Sequence, residues 1–540
     1  MRPAAMSAQE AAEDLVLREL LATTELELQE EEERHARAEA QAEKLYSELS
    51  SWPAPLCALL SCAPSLANDG YPAHNPASQT GLLCAIAPML MHRSAPAPSP
   101  TSCFDEHVER PARIVAIYHR LLLDGLVQRA RLVPARLAIQ SDLELVHPPA
   151  HVVSATRVYM SADRPYAALD LEPGGDTFFA PRHSGHAASL SAGSLVELTT
   201  RVVSGELSNA LAIVRPPGHH CEAQEAMGFC LLNNVAIAAA VARNRLGIKR
   251  LLIVDWDVHH GNGIQHIFEE DPSILYISLH RYGGGFYPCT GAPHEVGYGK
   301  GAGFSVNVAF THEGYGDAEY ASAFKQIIMP IAQEFNPELV LVSSGFDAAA
   351  RDPLGGMELS PAGYAHMTQQ LCTLANGRIV VALEGGYNLL SISKSASAVM
   401  SMLLGDELPA SSTRHRHVRS SAKRDIATAM AELAPHWRCI DEALRFERKL
   451  AQERDVKRQN GLSTGKNRRL PDRKRITTTT SGRGVASAAR PPRWYRELYG
   501  IELGPPDGAG GGWRRSTRHR RLAWPFTWRT TGLLSWRVAR

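Results

Sequence analysis

The stretch Leu251–Gly263, LLIVDWDVHHGNG, decides how the rest of the chain reads. Four apolar residues run without a break into Asp255, Trp256, Asp257, Val258 and His259. A continuous apolar run of this length fits a strand covered on both faces, as in a parallel sheet. Along an extended backbone alternate side chains share a face, so Asp255, Asp257 and His259 point one way and Trp256 and Val258 the other. Charged groups at the end of such a strand need partners, because burying a lone charge is costly. A carboxylate and an imidazole two positions apart are a natural start to a zinc site. A solvated polar cluster at a strand end is the alternative for this segment alone.

Working outward, short β-rich runs recur at Leu211–Val214, Ile274–Leu279, Leu339–Val342 and Ile379–Leu383. Ala-rich or amphipathic stretches such as Val235–Asn244 and Asp317–Phe335 separate them. The alternation predicts an open α/β sheet, mostly parallel, with helices on both faces. Each run leads into a polar, glycine-containing segment: RPPGHH, DWDVHHGNG, HRYGGG, SGFD and EGGYN. In open α/β sheets ligands bind outside the carboxyl ends of the strands, which is where these segments would fall.

Three of those segments add to the candidate centre. Asp347 ends the run LVLVSSGFD; one such Asp is often a helix cap, but with Asp257 and His259 it makes three protein ligands. Three ligands leave zinc an open position, the pattern of a catalytic site. His219 and His220 follow a Pro-Pro-Gly turn; an imidazole beside a metal is the usual base near neutral pH, and two histidines in a polar loop is the bland reading. Tyr387 stands behind two glycines, where a phenol can donate to an oxyanion or simply pack.

The chain of 540 residues is 44% hydrophobic and 21% charged with a formal net charge of +1, so no whole-molecule attraction to nucleic acid or membrane is expected. Nine cysteines without a CxxC pair argue against a disulfide framework or a zinc knuckle and for a reducing compartment. The first twenty residues lack the pattern of a signal or transit peptide, and no apolar stretch is long enough for a span, so a soluble intracellular protein is expected. Residues 1–50 are charged and helix-favouring, with a coiled-coil partner segment as the alternative to an exposed helix. Residues 51–79 read as a Pro/Ala/Ser-rich linker and 80–405 as the catalytic domain, with TGLLCAIAPMLMH at its start as a first strand and turn. Residues 406–454 read as a partly helical extension, with one helix from Ile426 to about Arg454. Residues 455–540 read as a basic, disordered tail. The KNRRLPDRKR run near Arg469 is either a nuclear-import or RNA-contacting patch or a plain solvated tail.

The motifs RPPGHH, GFC, DWDVHHGNG, SLHRY, SGFDAA with DPLGG, and EGGYNL follow one another as in the histone deacetylase family, with TGL, HVERPARI and LVHPPAHV upstream. From about Thr80 to Leu404 the chain resembles the zinc-dependent, class II enzymes of that family. Its nearest likeness is to the tyrosine-retaining, class IIb-like or Hda1-like subgroup. The resemblance implies an arginase/deacetylase-type fold with Zn2+ on Asp257, His259 and Asp347. It implies His220 as general base with His219 beside it, Asp255 orienting His219, Asn262 contacting His220, and Tyr387 polarising the acyl carbonyl. It implies a structural K+ near Asp255, Asp257, His259, Ser278 and Leu279. Gly228, Phe229 and Tyr287 match the wall of an acyl-lysine tunnel; the family usually has Phe where Tyr287 stands, so this chain carries an extra hydroxyl at the rim. Asp176, in the GGDTF loop, matches a substrate-backbone acceptor, and Arg113 an internal-cavity arginine. Leu354 stands where polyamine-specialised relatives carry an acid. Cys221 and Cys230 read as small packing residues.

The resemblance implies deacetylation of lysines in histones, tubulin or other proteins, with roles in chromatin and transcription regulation. Co-repressor complexes and residence in nucleus, cytoplasm or both go with it. An acetylpolyamine amidohydrolase and a non-catalytic scaffold are the rival readings, while a nucleic-acid binder rests on the basic tail alone.

Overall fold

Runs of β-branched and aliphatic residues with no polar alternation need cover on both sides, and the computed structural model gives them that. It describes residues 77–84, 107–157, 169–170, 178–179, 184–408 and 417–464. The acidic N-terminal segment, most of the linker, Asp176 and the basic run near Arg469 lie outside these residues.

The strands are β1 (Thr80–Cys84), β2 (Arg131–Leu132), β3 (Leu169–Asp170), β4 (Phe178–Phe179), β5 (Asn209–Ile213), β6 (Leu251–Asp255), β7 (Ile274–Arg281), β8 (Ser305–Phe310), β9 (Leu339–Ser344) and β10 (Ile379–Leu383). Eight of them form one sheet in the order β2-β1-β5-β10-β9-β6-β7-β8, every neighbouring pair parallel. β3 and β4 pair antiparallel in a separate two-stranded ribbon. Every residue of β6, β8, β9 and β10 is buried. Successive side chains alternate faces, so both faces of the sheet are covered. This is the open α/β sheet that the apolar runs predict.

The five strands expected from apolar runs occur within two residues of their predicted ends, and β1 falls within the sixth expected segment, of which residues 85–92 lie outside the described ones. β8 was not anticipated: Asn307 interrupts its apolar run, and that side chain is accommodated by donating to Gln265 Oε1 and the Glu295 carbonyl. The helix Ser184–Val203 was also missed. Its Ser, Gly and Ala content gives no amphipathic period because the helix is buried nearly all round. Gly193 explains part of that composition, since a Cβ there would lie 2.3 Å from Arg136 O.

Asp317–Phe335 is helical as expected, but its middle, Phe324–Ile328, is a π turn. Pro330 has no N–H to give and its ring crowds the carbonyl of residue 326, which accounts for the widened turn. Toward the C-terminus, two helices, Ser420–Leu433 and Arg438–Thr464, stand where one was expected, separated by a turn at Ala434–Trp437 that contains Pro435. The first packs on β8. Asp425 accepts from the Thr311 N–H at 3.1 Å, the Thr311 hydroxyl at 2.9 Å and the Tyr315 hydroxyl at 3.1 Å. Trp437 donates from Nε1 to Gly303 O at 2.8 Å and meets the Phe304 ring edge-on. No helix among the described residues is long and apolar enough to cross a membrane.

Removing the Asp425 carboxylate takes an acceptor from the buried Tyr315 side chain and breaks both bonds to Thr311, which is exposed. Asp425→Ala is expected to lower unfolding free energy by about 1–3 kcal/mol, read by denaturant titration; an unchanged midpoint would show that the helix Ser420–Leu433 is not held to β8 by this group.

Candidate metal centre and active site

Four strands adjacent in the sheet, β5, β10, β9 and β6, end side by side and deliver the candidate residues. β6 runs into Asp257 and His259, and β9 into Asp347; one donor atom from each lies within 4.8 Å of the others. His259 Nδ1 is 3.1 Å from both Asp257 Oδ1 and Asp347 Oδ2. Both carboxylates are fully buried.

The backbone fixes their outer oxygens. Val258 N–H donates to Asp347 Oδ1 at 2.8 Å, and Gly385 N–H donates to Asp257 Oδ2 at 2.9 Å. Two glycines make room for the carboxylates: a Cβ on Gly345 would lie 1.9 Å from Asp257 Oδ2, and one on Gly385 2.3 Å from Asp347 Oδ2. No side chain fits at either position without moving a carboxylate.

Burial pushes the Asp347 carboxyl up to about 7, with the Asp257 charge adding to it. Burial works the same way on Asp257, but the facing His219 and His259 outweigh it and hold that carboxyl well below its usual range. Burial alone would lower His259; the two carboxylates instead raise it to about 10. The cluster therefore recruits positive charge. Two carboxylate oxygens and an imidazole nitrogen are a donor set that suits a divalent cation, and three protein ligands are the number found in catalytic zinc sites.

His219 and His220 come from the loop after β5, their rings 4.0 Å apart. His219 Nδ1 donates to Asp255 Oδ2 at 3.0 Å, and Nε2 is 3.7 Å from Asp257 Oδ2. Burial disfavours its charge, yet Asp257 and Asp255 carry its pKa to about 10. His220 is held well below its ordinary value by burial and by the neighbouring His219 and His259. Asn262 Nδ2 donates to Glu222 Oε1 at 2.5 Å, so its Oδ1 faces His220 Nδ1 at 2.8 Å. That carbonyl can only accept. Neutral His220 therefore carries its proton on Nδ1 and its lone pair on Nε2.

Tyr387 follows β10, half-buried, with its ring 6.0 Å from Phe229 and the Arg113 guanidinium 5.1 Å from its centroid. Burial and the Asp347 charge keep its hydroxyl protonated, well above the usual phenol range. Tyr287 meets the His220 ring edge-on at 5.0 Å. Gly228 lets the loop pass against His220, whose ring a Cβ would meet at 2.4 Å. Leu354 is 38% exposed on the loop after β9. Ser278 and Leu279 are buried on β7, Ser278 in register with Asp255.

Among the supporting groups Arg113 was singled out from sequence, whereas Asp352, Glu384 and Phe286 were not. Asp352 takes the N–H groups of Leu354 and Gly355 on Oδ1 and that of Tyr387 on Oδ2 at 2.7 Å, tying that loop to the tyrosine. Glu384 is buried beneath the His219 loop and accepts from Gly218 N–H at 2.6 Å and His219 N–H at 3.2 Å. Arg113 donates to the carbonyls of Gly386 and Glu384, and shares Glu109 with Arg215, all three side chains buried. Phe286 stacks on His259 with rings 5.0 Å apart and 4° from parallel. The only hint in sequence was an acid placed inside EGGYN and DPLGG, since the partners are backbone groups of distant segments.

The profile described as "Histone deacetylase domain" matches residues 107–403, more than half of the chain. The chain belongs to the histone deacetylase family. Among class II relatives it is 44% identical over 338 residues to "Polyamine deacetylase HDAC10" of Homo sapiens, covering 62% of this chain and 50% of that protein. It is 48% identical over 315 residues to "Histone deacetylase 15" of Arabidopsis thaliana, covering 57% and 55%. The solved structure described as "Crystal Structure of HDA15 HD domain" superposes with a TM-score of 0.61 at 40% identity, covering 69% of this chain and 99% of that one. The chain thus spans about half the length of these two curated relatives. Membership carries the expectation of zinc, and the Asp257, His259 and Asp347 donors fit it.

A Cβ at Gly345 drives Asp257 out of position. Gly345→Ala is expected to weaken zinc binding by at least about tenfold, a scale typical of disturbed groups around a metal site; equilibrium dialysis with zinc analysis on folded protein checks this, and unchanged affinity would contradict the close packing described.

Proposed function

We propose that this chain is a zinc-dependent protein lysine deacetylase, hydrolysing N-ε-acetyl-lysine and releasing acetate, with residues 80–405 as its catalytic domain. The observation that carries the reading is the convergence of Asp257, His259 and Asp347 beside the His219–His220 pair, with His219 bonded to Asp255 and His220 to Asn262. Zinc held by those three residues would supply Lewis acidity toward the acyl carbonyl and water.

The chain's own groups supply the rest. His220 takes the proton of the attacking water on Nε2, the nitrogen that its bond to Asn262 leaves free. Positive charge at His219 stabilises developing negative charge, and Asp255 fixes its ring. Tyr387 keeps its proton and donates a hydrogen bond to the oxyanion. The imidazolium formed at His220 then returns a proton to the leaving lysine amine. Phe229 and Tyr287 border the site and offer apolar faces to the lysine methylenes, and Asp176 is a candidate acceptor for substrate backbone. Ser278 and Leu279, next to Asp255, are candidates for a K+ that steadies the strand ends.

Leu354 favours protein lysines. A cationic polyamine gains nothing from an alkyl group there, whereas a carboxylate would attract it. The likeness to a relative named a polyamine deacetylase is the observation favouring the second reading, hydrolysis of acetylated polyamines.

With zinc supplied, kcat/KM on an acetyl-lysine peptide is expected to exceed that on acetylspermidine by about tenfold or more, and Leu354→Glu to narrow the gap. The reverse preference in the wild-type chain would move the assignment to polyamines. Tyr387→Phe is expected to cut kcat by about 10²–10³ with zinc content unchanged, as for loss of one oxyanion donor. Near-normal turnover would remove Tyr387 from the mechanism. Asp347→Ala should lose the metal itself, which elemental analysis would show.

A further inference from the structure

A second group of metal-competent side chains lies outside the centre described above. His147 precedes the helix Pro149–Arg157, His151 sits in its first turn, and Cys221 follows His220 directly. All three are buried, and one donor atom from each lies within 4.8 Å of the others. His151 Nε2 is 3.6 Å from Cys221 Sγ, and both converge on the Leu231 carbonyl oxygen, at 3.0 and 3.3 Å. Tetrahedral zinc with bonds of about 2.0–2.1 Å to nitrogen and about 2.3 Å to sulfur places neighbouring donors roughly 3.3–3.7 Å apart. These three atoms already approximate one face of such a tetrahedron.

His147 stacks on His151 at 4.7 Å. Its Nδ1 donates to Ala223 O and its Nε2 accepts from Asn233 N–H, each at 3.0 Å. Burial holds it down to about 4, so it is neutral, the form that ligates.

We propose that His147, His151 and Cys221 form a second, closed site for a thiolate-binding d10 cation, zinc foremost, with the Leu231 carbonyl as fourth donor. Binding exchanges the Cys221 S–H bond for a metal–sulfur bond and releases that proton to solvent. The proton on His151 Nε2 moves to Nδ1, and His147 gives up one of its two hydrogen bonds. Four protein donors leave no open position, so the site is structural. The thiolate distinguishes it from the carboxylate-rich centre at Asp257, and the two sites differ in the metals they favour. Occupancy would pin the segment bearing His219 and His220 to the helix Pro149–Arg157.

The test uses the full chain, equilibrated with excess zinc, washed and analysed for metal, with Co2+ as a spectroscopic substitute. Wild type is expected to hold two equivalents. Asp347→Asn should retain one, along with a sulfur-to-cobalt charge-transfer band; Cys221→Ala should retain one without the band. Zinc should raise the Tm of Asp347→Asn but not that of Asp347→Asn combined with Cys221→Ala. If Cys221→Ala fails to fold, His151→Gln replaces it, with the same loss expected. One equivalent in wild type without the sulfur-to-cobalt band, or a cobalt–thiolate band unaltered by these substitutions, would overturn the proposal. Loss of deacetylase activity alone bears only on the proposed function, since metal count and band are read without substrate.

Discussion

Two carboxylates, Asp257 and Asp347, are buried at the ends of adjacent strands with a third, Asp255, beside them. Like charges at such range in a poorly solvated setting repel strongly, and no arrangement of apolar neighbours relieves that. Positive charge has to be brought in. His219 answers part of the demand, its pKa carried to about 10 by Asp257 and Asp255 despite burial, and His259 is raised likewise as long as no metal takes its Nδ1. Backbone N–H groups of Val258 and Gly385 answer another part by fixing the outer oxygens. A cation at the shared inner oxygens would complete the balance, replacing the proton on His259 Nδ1 because only the neutral imidazole ligates, while burial first and the neighbouring His219 and His259 next hold His220 low.

The sheet order makes this possible. β5, β10, β9 and β6 are neighbours although they are far apart in sequence, so one row of strand ends supplies the histidine pair, the tyrosine and the three candidate ligands. Parallel pairing requires long crossovers, and the crossovers leave the polar loops together at one end. Glu384, Asp352 and the buried Arg113–Glu109–Arg215 group then join these loops through backbone hydrogen bonds. Their contribution is precision of placement, which a site with three ligands and an open position needs.

Much of this was legible in sequence where local chemistry determines it. Apolar runs located β5, β6, β7, β9 and β10, and the Asp255–Asp257–His259 alternation singled out the centre before any fold was known. Elements whose signal depends on distant partners were not legible. The helix Ser184–Val203 lacks an apolar stripe because it is buried all round, β8 carries an asparagine satisfied from another loop, and Pro435 splits the C-terminal helix. Asp352 and Glu384 were not singled out because their partners are main-chain N–H groups of other segments. Cys221 read as packing because His147 and His151 stand some seventy residues away in the chain.

The most direct test is anomalous scattering at the zinc edge from crystals grown with zinc. The account predicts a peak bonded to one oxygen each of Asp257 and Asp347 and to His259 Nδ1, at about 2.0–2.2 Å. Zinc-loaded crystals with no peak among those three side chains, or with the carboxylates turned apart, would contradict it.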